Sequence, residues 1–170
     1  MASPSDLHVL LVDDNRQMRT LLRSLLRAAG VGKISDAADA DQAFQLMTES
    51  QIDLILLDWK MRPMDGLAFT RLVRQAPNSP NPYATILMLT AHTERHRVAS
   101  ARDAGVSGFL KKPISAHLLF ERMTNALADD RMFVRAPGFF GPDRRFGALP
   151  GYGGPFRRAS DTGALETFDL

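Results

Sequence analysis

A chain of 170 residues has room for one domain of ordinary size with an extension, whereas two full domains would each be short of core. It contains no Cys, which excludes disulfides and thiolate metal sites, and no apolar run near the roughly 20 residues that span a bilayer. A formal net charge of +2 is too small to point to nucleic acid, and the lack of an N-terminal apolar stretch leads us to expect a cytoplasmic protein.

Residues 1–6 read as a flexible N-terminus, 7–129 as one folded domain and 130–170 as an extension. Within the domain, short Leu-rich or β-branched runs alternate with segments of helical period, the pattern of a parallel sheet covered on both faces. The first strand spans His8 to Val12. Helix one follows from Arg16 to Ala29, with Met18, Leu21, Leu22, Leu25 and Leu26 as its buried stripe and Gly30 just past its end. A weak second strand lies near Lys33 to Ser35, and Asp39 with Gln42 forms a capping-box start for a helix reaching Glu49. Strand three covers Ile52 to Leu57. A loop through Pro63 and Asp65-Gly66 leads to a helix carrying Leu67, Phe69, Leu72 and Val73, and Pro77, Pro80 and Pro82 then enforce an extended link. Strand four is Ile86 to Thr90, helix four runs from near Thr93 to before Gly105, strand five is Gly108 to Lys111, and helix five is Ser115 to Ala128. Beyond Arg131 the chain turns rich in Gly, Pro, Phe and Arg without apolar period, so it is expected to be mobile or laid on the domain surface.

Carboxylates collect at the strand ends: Asp13-Asp14 after the first strand and Asp58 after the third. In a doubly wound parallel sheet these ends share the crevice in which such folds bind ligands. Three anions in one crevice repel unless a cation joins them, and an oxygen-only set suits Mg²⁺. Thr90 and Lys112 close two further strands on the same side.

Together Asp13-Asp14, Asp58-Trp59-Lys60-Met61, Met64-Asp65-Gly66, Thr90-Ala91 and Lys112-Pro113 resemble the receiver domain of bacterial two-component response regulators, over about Leu7 to Asp129. The resemblance implies a flavodoxin-like (βα)5 fold with a five-stranded parallel sheet. It implies that Asp58 accepts a phosphoryl group from a phosphohistidine on a sensor histidine kinase or a histidine phosphotransfer protein. Mg²⁺ would be held by Asp13, Asp14, Asp58 and the backbone carbonyl of Lys60. Lys112 would contact a phosphoryl oxygen, aimed by a cis Lys112-Pro113 peptide, and the Thr90 hydroxyl would donate to the phosphoryl group. Phe109, three residues before the lysine, would be the aromatic switch, a Phe where Tyr is commoner. Lys60 and His92 stand where family members tune phosphoryl lifetime. The output would be a changed helix 4, strand 5 and helix 5 face that binds a downstream protein, and dimerisation through that face is common among related domains. One departure is visible in the loop after the acceptor, where Arg62 replaces the usual Pro four residues after Asp58, with Pro63 next. The Phe139-Phe140-Gly141-Pro142-Asp143-Arg144-Arg145 element is similar to extensions of some stand-alone receivers.

Blander readings compete with these. Asp13 and Asp14 could each cap helix one, although capping does not explain an acid at each strand end. Arg16, Arg19, Arg23 and Arg27 form a stripe on helix one that reads as a solvated face, or else as a dock for an acidic kinase surface. His8, His96 and His117 lack metal-ligand spacing and read as surface or rim residues. Phe139, Phe140 and Phe146 with Arg144 and Arg145 could stack on single-stranded nucleic acid, but Asp143, Asp161, Glu166 and Asp169 dilute that charge. A phosphohydrolase with an aspartyl-phosphate intermediate would carry a second acid where Lys60 stands. The protein therefore reads as a single-domain response regulator or phosphorelay shuttle, not a dedicated enzyme beyond its own phosphorylation and dephosphorylation. The alternative is a phosphorylation-independent interaction module acting through its tail.

Overall fold

The computed structural model describes residues 3–91, 95–144 and 166–168. Five strands, β1 (His8–Val12), β2 (Lys33–Ala37), β3 (Leu54–Asp58), β4 (Thr85–Thr90) and β5 (Gly108–Lys111), form one parallel sheet in the order β2-β1-β3-β4-β5. That order is doubly wound and flavodoxin-like, and it reverses direction between β1 and β3, where such sheets open a crevice at their C-terminal edge. The connecting helices are α1 (Arg16–Ala28), α2 (Ala40–Glu49), α3 (Gly66–Gln75), α4 (Arg95–Ala104) and α5 (Ala116–Leu127).

Strand alternation sorts the core into two layers. Leu10, Val12, Ile55, Leu57, Ile86 and Met88 face α2, α3 and α4, whereas Val9, Leu11, Leu54, Leu56, Leu87, Leu89 and Leu110 face α1 and α5. Every residue of β1 and β3 is buried, which is why both read as unbroken apolar runs. β2 reads as weak because it is an edge strand paired only with β1, and its Lys33, Ser35 and Asp36 face partly outward.

The helix ends follow local chemistry. Gly30 adopts φ 81, donating from its amide to Arg27 O at 3.0 Å while Val31 N reaches Leu26 O at 3.1 Å, the paired bonds of a Schellman motif. The Asp39 side chain accepts from Gln42 N at 2.8 Å, but the Gln42 side chain returns to Ala38 N at 2.7 Å instead of the Asp39 amide. On α1, Leu22 and Leu26 are buried and Met18 and Leu25 pack at the edge of the core. Leu21, expected in that buried stripe, is 45% exposed, because the core-facing arc of α1 is narrower than its apolar composition suggests. His8 also departs from expectation. It is buried, with Nε2 2.9 Å from Ser35 Oγ, and desolvation followed by the nearby Lys33 charge lowers its pKa. His96 and His117 are exposed.

After α5 the chain forms a hairpin of β6 (Phe133–Ala136) and β7 (Phe139–Pro142), turning at Pro137-Gly138 where Gly138 takes φ 74. Glu166–Phe168, β8, lies antiparallel to β6 on its other side. Phe133, Val134, Phe139 and Phe140 are buried against the domain, and Phe133 and Phe140 both pack on Tyr83 at ring-centroid distances of 5.2 Å. This hairpin has too few apolar residues for a core of its own, so it completes that of the domain. The Phe146 and Arg145 of the nucleic-acid reading lie outside the described residues.

Candidate functional site

The acidic turn after β1 is fixed from both sides. Asp13 N donates to Ala37 O at 3.2 Å, extending the β1–β2 ladder by one bond, and Asp13 Oδ1 accepts from Asn15 N at 2.8 Å. Asn15, not Asp13 or Asp14, caps α1, its Oδ1 accepting from Gln17 N at 2.9 Å and Met18 N at 3.2 Å. The capping duty is thus discharged by a neutral amide and both carboxylates remain for the crevice. Asp13 is 1% exposed, and its Oδ2 is buried with no hydrogen-bond partner among the described residues.

Asp58 ends β3 opposite Leu89, and Trp59 N donates to Leu89 O at 3.1 Å, carrying the sheet one residue beyond the acid. Gly66, the first residue of α3, donates to Trp59 O at 2.9 Å and lies so close that a Cβ there would come within 2.4 Å of Asp58 O. Only glycine fits, so the start of α3 sets the position of the Asp58 backbone. Asp65 caps that helix by accepting from Ala68 N at 2.8 Å.

Lys112 reaches the same point from β5. Its Nζ lies 2.7 Å from Asp58 Oδ1 and 3.7 Å from Asp13 Oδ2, and its backbone N donates to Thr90 O at 2.9 Å. The Lys112-Pro113 peptide is cis, as is Arg62-Pro63 in the loop that departs from the family pattern. Thr90 is buried at the end of β4, and Phe109 is half-buried against the core layer that contains Ala101 and Val106. Lys60 is exposed on the rim beside Trp59 and Met61, which are buried. His92 lies outside the described residues.

Asp13, Asp14 and Asp58 each present a carboxylate oxygen within 4.8 Å of the other two. Burial raises the Asp13 pKa, opposed by the hydrogen bond from the Asn15 amide; the charges of Asp58 and Asp14 raise it further and Lys112 lowers it. One ammonium among three carboxylates leaves a net anionic crevice. The Asp13 Oδ2 left without a hydrogen bond and the close, all-oxygen trio, with no softer ligand beside it among the described residues, fit a hard divalent cation such as Mg²⁺.

One contributor is not evident from sequence spacing. Arg19, read as part of a solvated stripe, donates through a terminal guanidinium nitrogen to Asp13 O at 2.6 Å and from Nε to Asp36 Oδ2 at 3.2 Å. Arg23 also pairs with Asp36, so two of the four arginines form a buttress behind the acidic turn while Arg16 and Arg27 are exposed. The available signal was Asp36, an acid on the edge strand facing the helix-one arginines.

Comparison with known proteins agrees with this geometry. A model of the response regulator receiver domain matches residues 9–124. The chain is 31% identical over 130 residues to the chemotaxis protein CheY of Pseudomonas aeruginosa, covering 76% of this chain and 98% of that protein. It is 35% identical over 115 residues to a probable chemotaxis protein CheY of Rhizobium etli, covering 68% and 88% of the two chains. Among solved structures it is similar to Vibrio cholerae CheY4, with a TM-score of 0.66 at 29% identity over 71% of this chain and 98% of the other. It is also similar to the receiver domain of a Pseudomonas aeruginosa sensor histidine kinase with a magnesium ion coordinated in its active-site cleft, with a TM-score of 0.64 at 27% identity, covering 72% and 98%.

Proposed function

The chain belongs to the response regulator receiver family of two-component signalling, and from that premise we propose that Asp58 is its phosphoacceptor. The observation that carries this reading is the direct 2.7 Å contact of Lys112 Nζ with Asp58 Oδ1 beside an Asp13 Oδ2 that accepts no hydrogen bond among the described residues. The donor would be a phosphohistidine on a sensor kinase or a histidine phosphotransfer protein. An Asp58 carboxylate oxygen attacks phosphorus, the P–N bond to the donor imidazole breaks, and an acyl phosphate remains on Asp58. Mg²⁺ held by Asp13, Asp14, Asp58 and the Lys60 carbonyl would neutralise the charge spread over the equatorial phosphoryl oxygens.

The chain's own residues do the positioning. Gly66 and the Trp59 amide fix the Asp58 backbone, so the nucleophile is aimed before a donor arrives. Lys112 exchanges its Asp58 contact for a phosphoryl oxygen, and its charge lowers the electrostatic cost of bringing a phosphate to an acidic crevice. The Thr90 hydroxyl donates to the same group, and Phe109 follows by packing inward, without the hydrogen bond that a tyrosine would make. The changed α4, β5 and α5 face then binds a downstream protein by population shift, and it is also where a phosphorylation-linked homodimer would form. Lys60 and His92 tune the lifetime of the acyl phosphate by shaping access for water, so Lys60→Ala and His92→Ala are expected to alter its decay.

Intact-mass measurement after incubation with acetyl phosphate tests the reading. One phosphoryl adduct that requires Mg²⁺ and disappears in Asp58→Asn is expected. An adduct that persists in Asp58→Asn removes Asp58 from the role.

A further inference from the structure

The hairpin β6–β7 lies beyond the last residue matched by the receiver family, yet besides packing on Tyr83 and the end of α3 it reaches the C-terminal end of α4. α4 has little apolar grip of its own. It buries Ala101 and Ala104, where α1 buries Leu22 and Leu26 and α3 buries Phe69 and Val73, and a methyl removes far less apolar area than a Leu or Phe. What holds its end is polar and steric. Arg74 Nε donates to Gly105 O at 2.9 Å, with Phe133 of β6 lying over the guanidinium at 5.0 Å. Arg144, just past β7, donates to Asp103 Oδ1 at 2.6 Å and stacks on the Phe139 ring at 3.9 Å. Gly141 of β7 sits against Gly105 so closely that a Cβ on either would approach the other segment to within 2.8 Å. Arg131 adds a bond to Ser107 O at 2.7 Å. The other end of α4 follows Thr90 by five positions, so the helix links the crevice to the hairpin.

We propose that the hairpin is a regulatory clamp: it fixes α4 in the arrangement in which Lys112 engages the Asp58 carboxylate, and so opposes the switch at that site. The proposal rests on the phosphoacceptor reading of Asp58. Because coupling between two sites is reciprocal, loosening the clamp must raise the affinity of the crevice for a phosphoryl analogue, and the analogue must loosen the clamp.

The test uses the full chain titrated with beryllofluoride in the presence of Mg²⁺, followed by the fluorescence of Trp59, the single tryptophan and the neighbour of Asp58. Arg144→Ala is expected to bind the analogue about fivefold or more tightly. The exchange Arg144→Asp with Asp103→Arg is expected to return affinity toward the wild type. In unmutated protein, hydrogen exchange of amides in 133–142 is expected to speed up when the analogue binds. Unchanged affinity in Arg144→Ala, or unchanged exchange in the wild type, overturns the clamp while leaving the phosphoacceptor reading intact. Failure of the wild type to bind the analogue at all overturns both.

Discussion

Buried charge lies at both ends of the same sheet, anionic at one and cationic at the other, and the surroundings differ. At the C-terminal edge Asp13, one of three clustered carboxylates, keeps an oxygen with no hydrogen-bond partner among the described residues. At the N-terminal edge Arg74, 1% exposed, has no carboxylate beside it among the described residues but donates to the carbonyls of Gly105, Pro82 and Ala84 at 2.9, 2.6 and 2.7 Å, under the face of Phe133. Burial lowers the Arg74 pKa to about 9, so the guanidinium stays charged at neutral pH. A buried charge whose hydrogen-bonding capacity is met by the protein is a structural joint, whereas one left short indicates a ligand.

The largest effect should come from opening the satisfied end. Arg74→Met strands three main-chain carbonyls in an apolar setting and should cost about 3 kcal/mol or more, read as a lower denaturant midpoint. A loss below about 1 kcal/mol would mean that those carbonyls find water, and the contrast between the two ends would weaken.

At the other end the sign should reverse. Asp13→Asn keeps the bond from the Asn15 amide and removes one of three clustered anions, so it should stabilise the metal-free protein by on the order of 1 kcal/mol at neutral pH. Titration sharpens this. With the folded pKa of Asp13 raised above 3.8, the native state holds its proton more tightly than the unfolded chain does. The resulting stability is complete below the unfolded value and is lost as pH rises through the folded one. In the metal-free wild type, unfolding free energy should therefore fall across that window relative to Asp13→Asn; parallel pH profiles would contradict this.

Smaller effects mark the edges of the site. Arg19→Met removes the bond to Asp13 O and should weaken Mg²⁺ binding severalfold, while Arg27→Met, exposed at the far end of α1, should leave it unchanged. Equal affinities in the two variants would return Arg19 to the solvated stripe. Leu21→Ser, on the exposed face of α1, should shift stability by no more than about 0.5 kcal/mol.

β1, β3 and β4 and the acids at two of their ends were legible because those strands are long buried runs and Asp13, Asp14 and Asp58 close β1 and β3, whereas the partly exposed edge strand β2 read as weak. Leu21 and His8 were misread because composition does not say how wide a buried arc is, nor that Ser35 waits beside an N-terminal histidine. Arg74 carried an overlooked signal. Gly66, Phe69, Thr70, Val73 and Arg74 repeat at the three- and four-residue spacing of one helix face, so the arginine stands where an apolar residue is expected. The hairpin strands are four residues each, amid glycine and proline, and their apolar side chains make sense only against Tyr83, Arg74 and Gly105, which are distant in sequence.

The most direct test of the account is a Mg²⁺ titration of the wild type and Asp13→Asn at neutral pH, followed by Trp59 fluorescence. Saturable single-site binding in the wild type, lost in Asp13→Asn, is the predicted result. A wild type that shows no saturable response, or a variant that binds as well, would contradict the claim that the Asp13 oxygen left without a hydrogen bond belongs to a cation site.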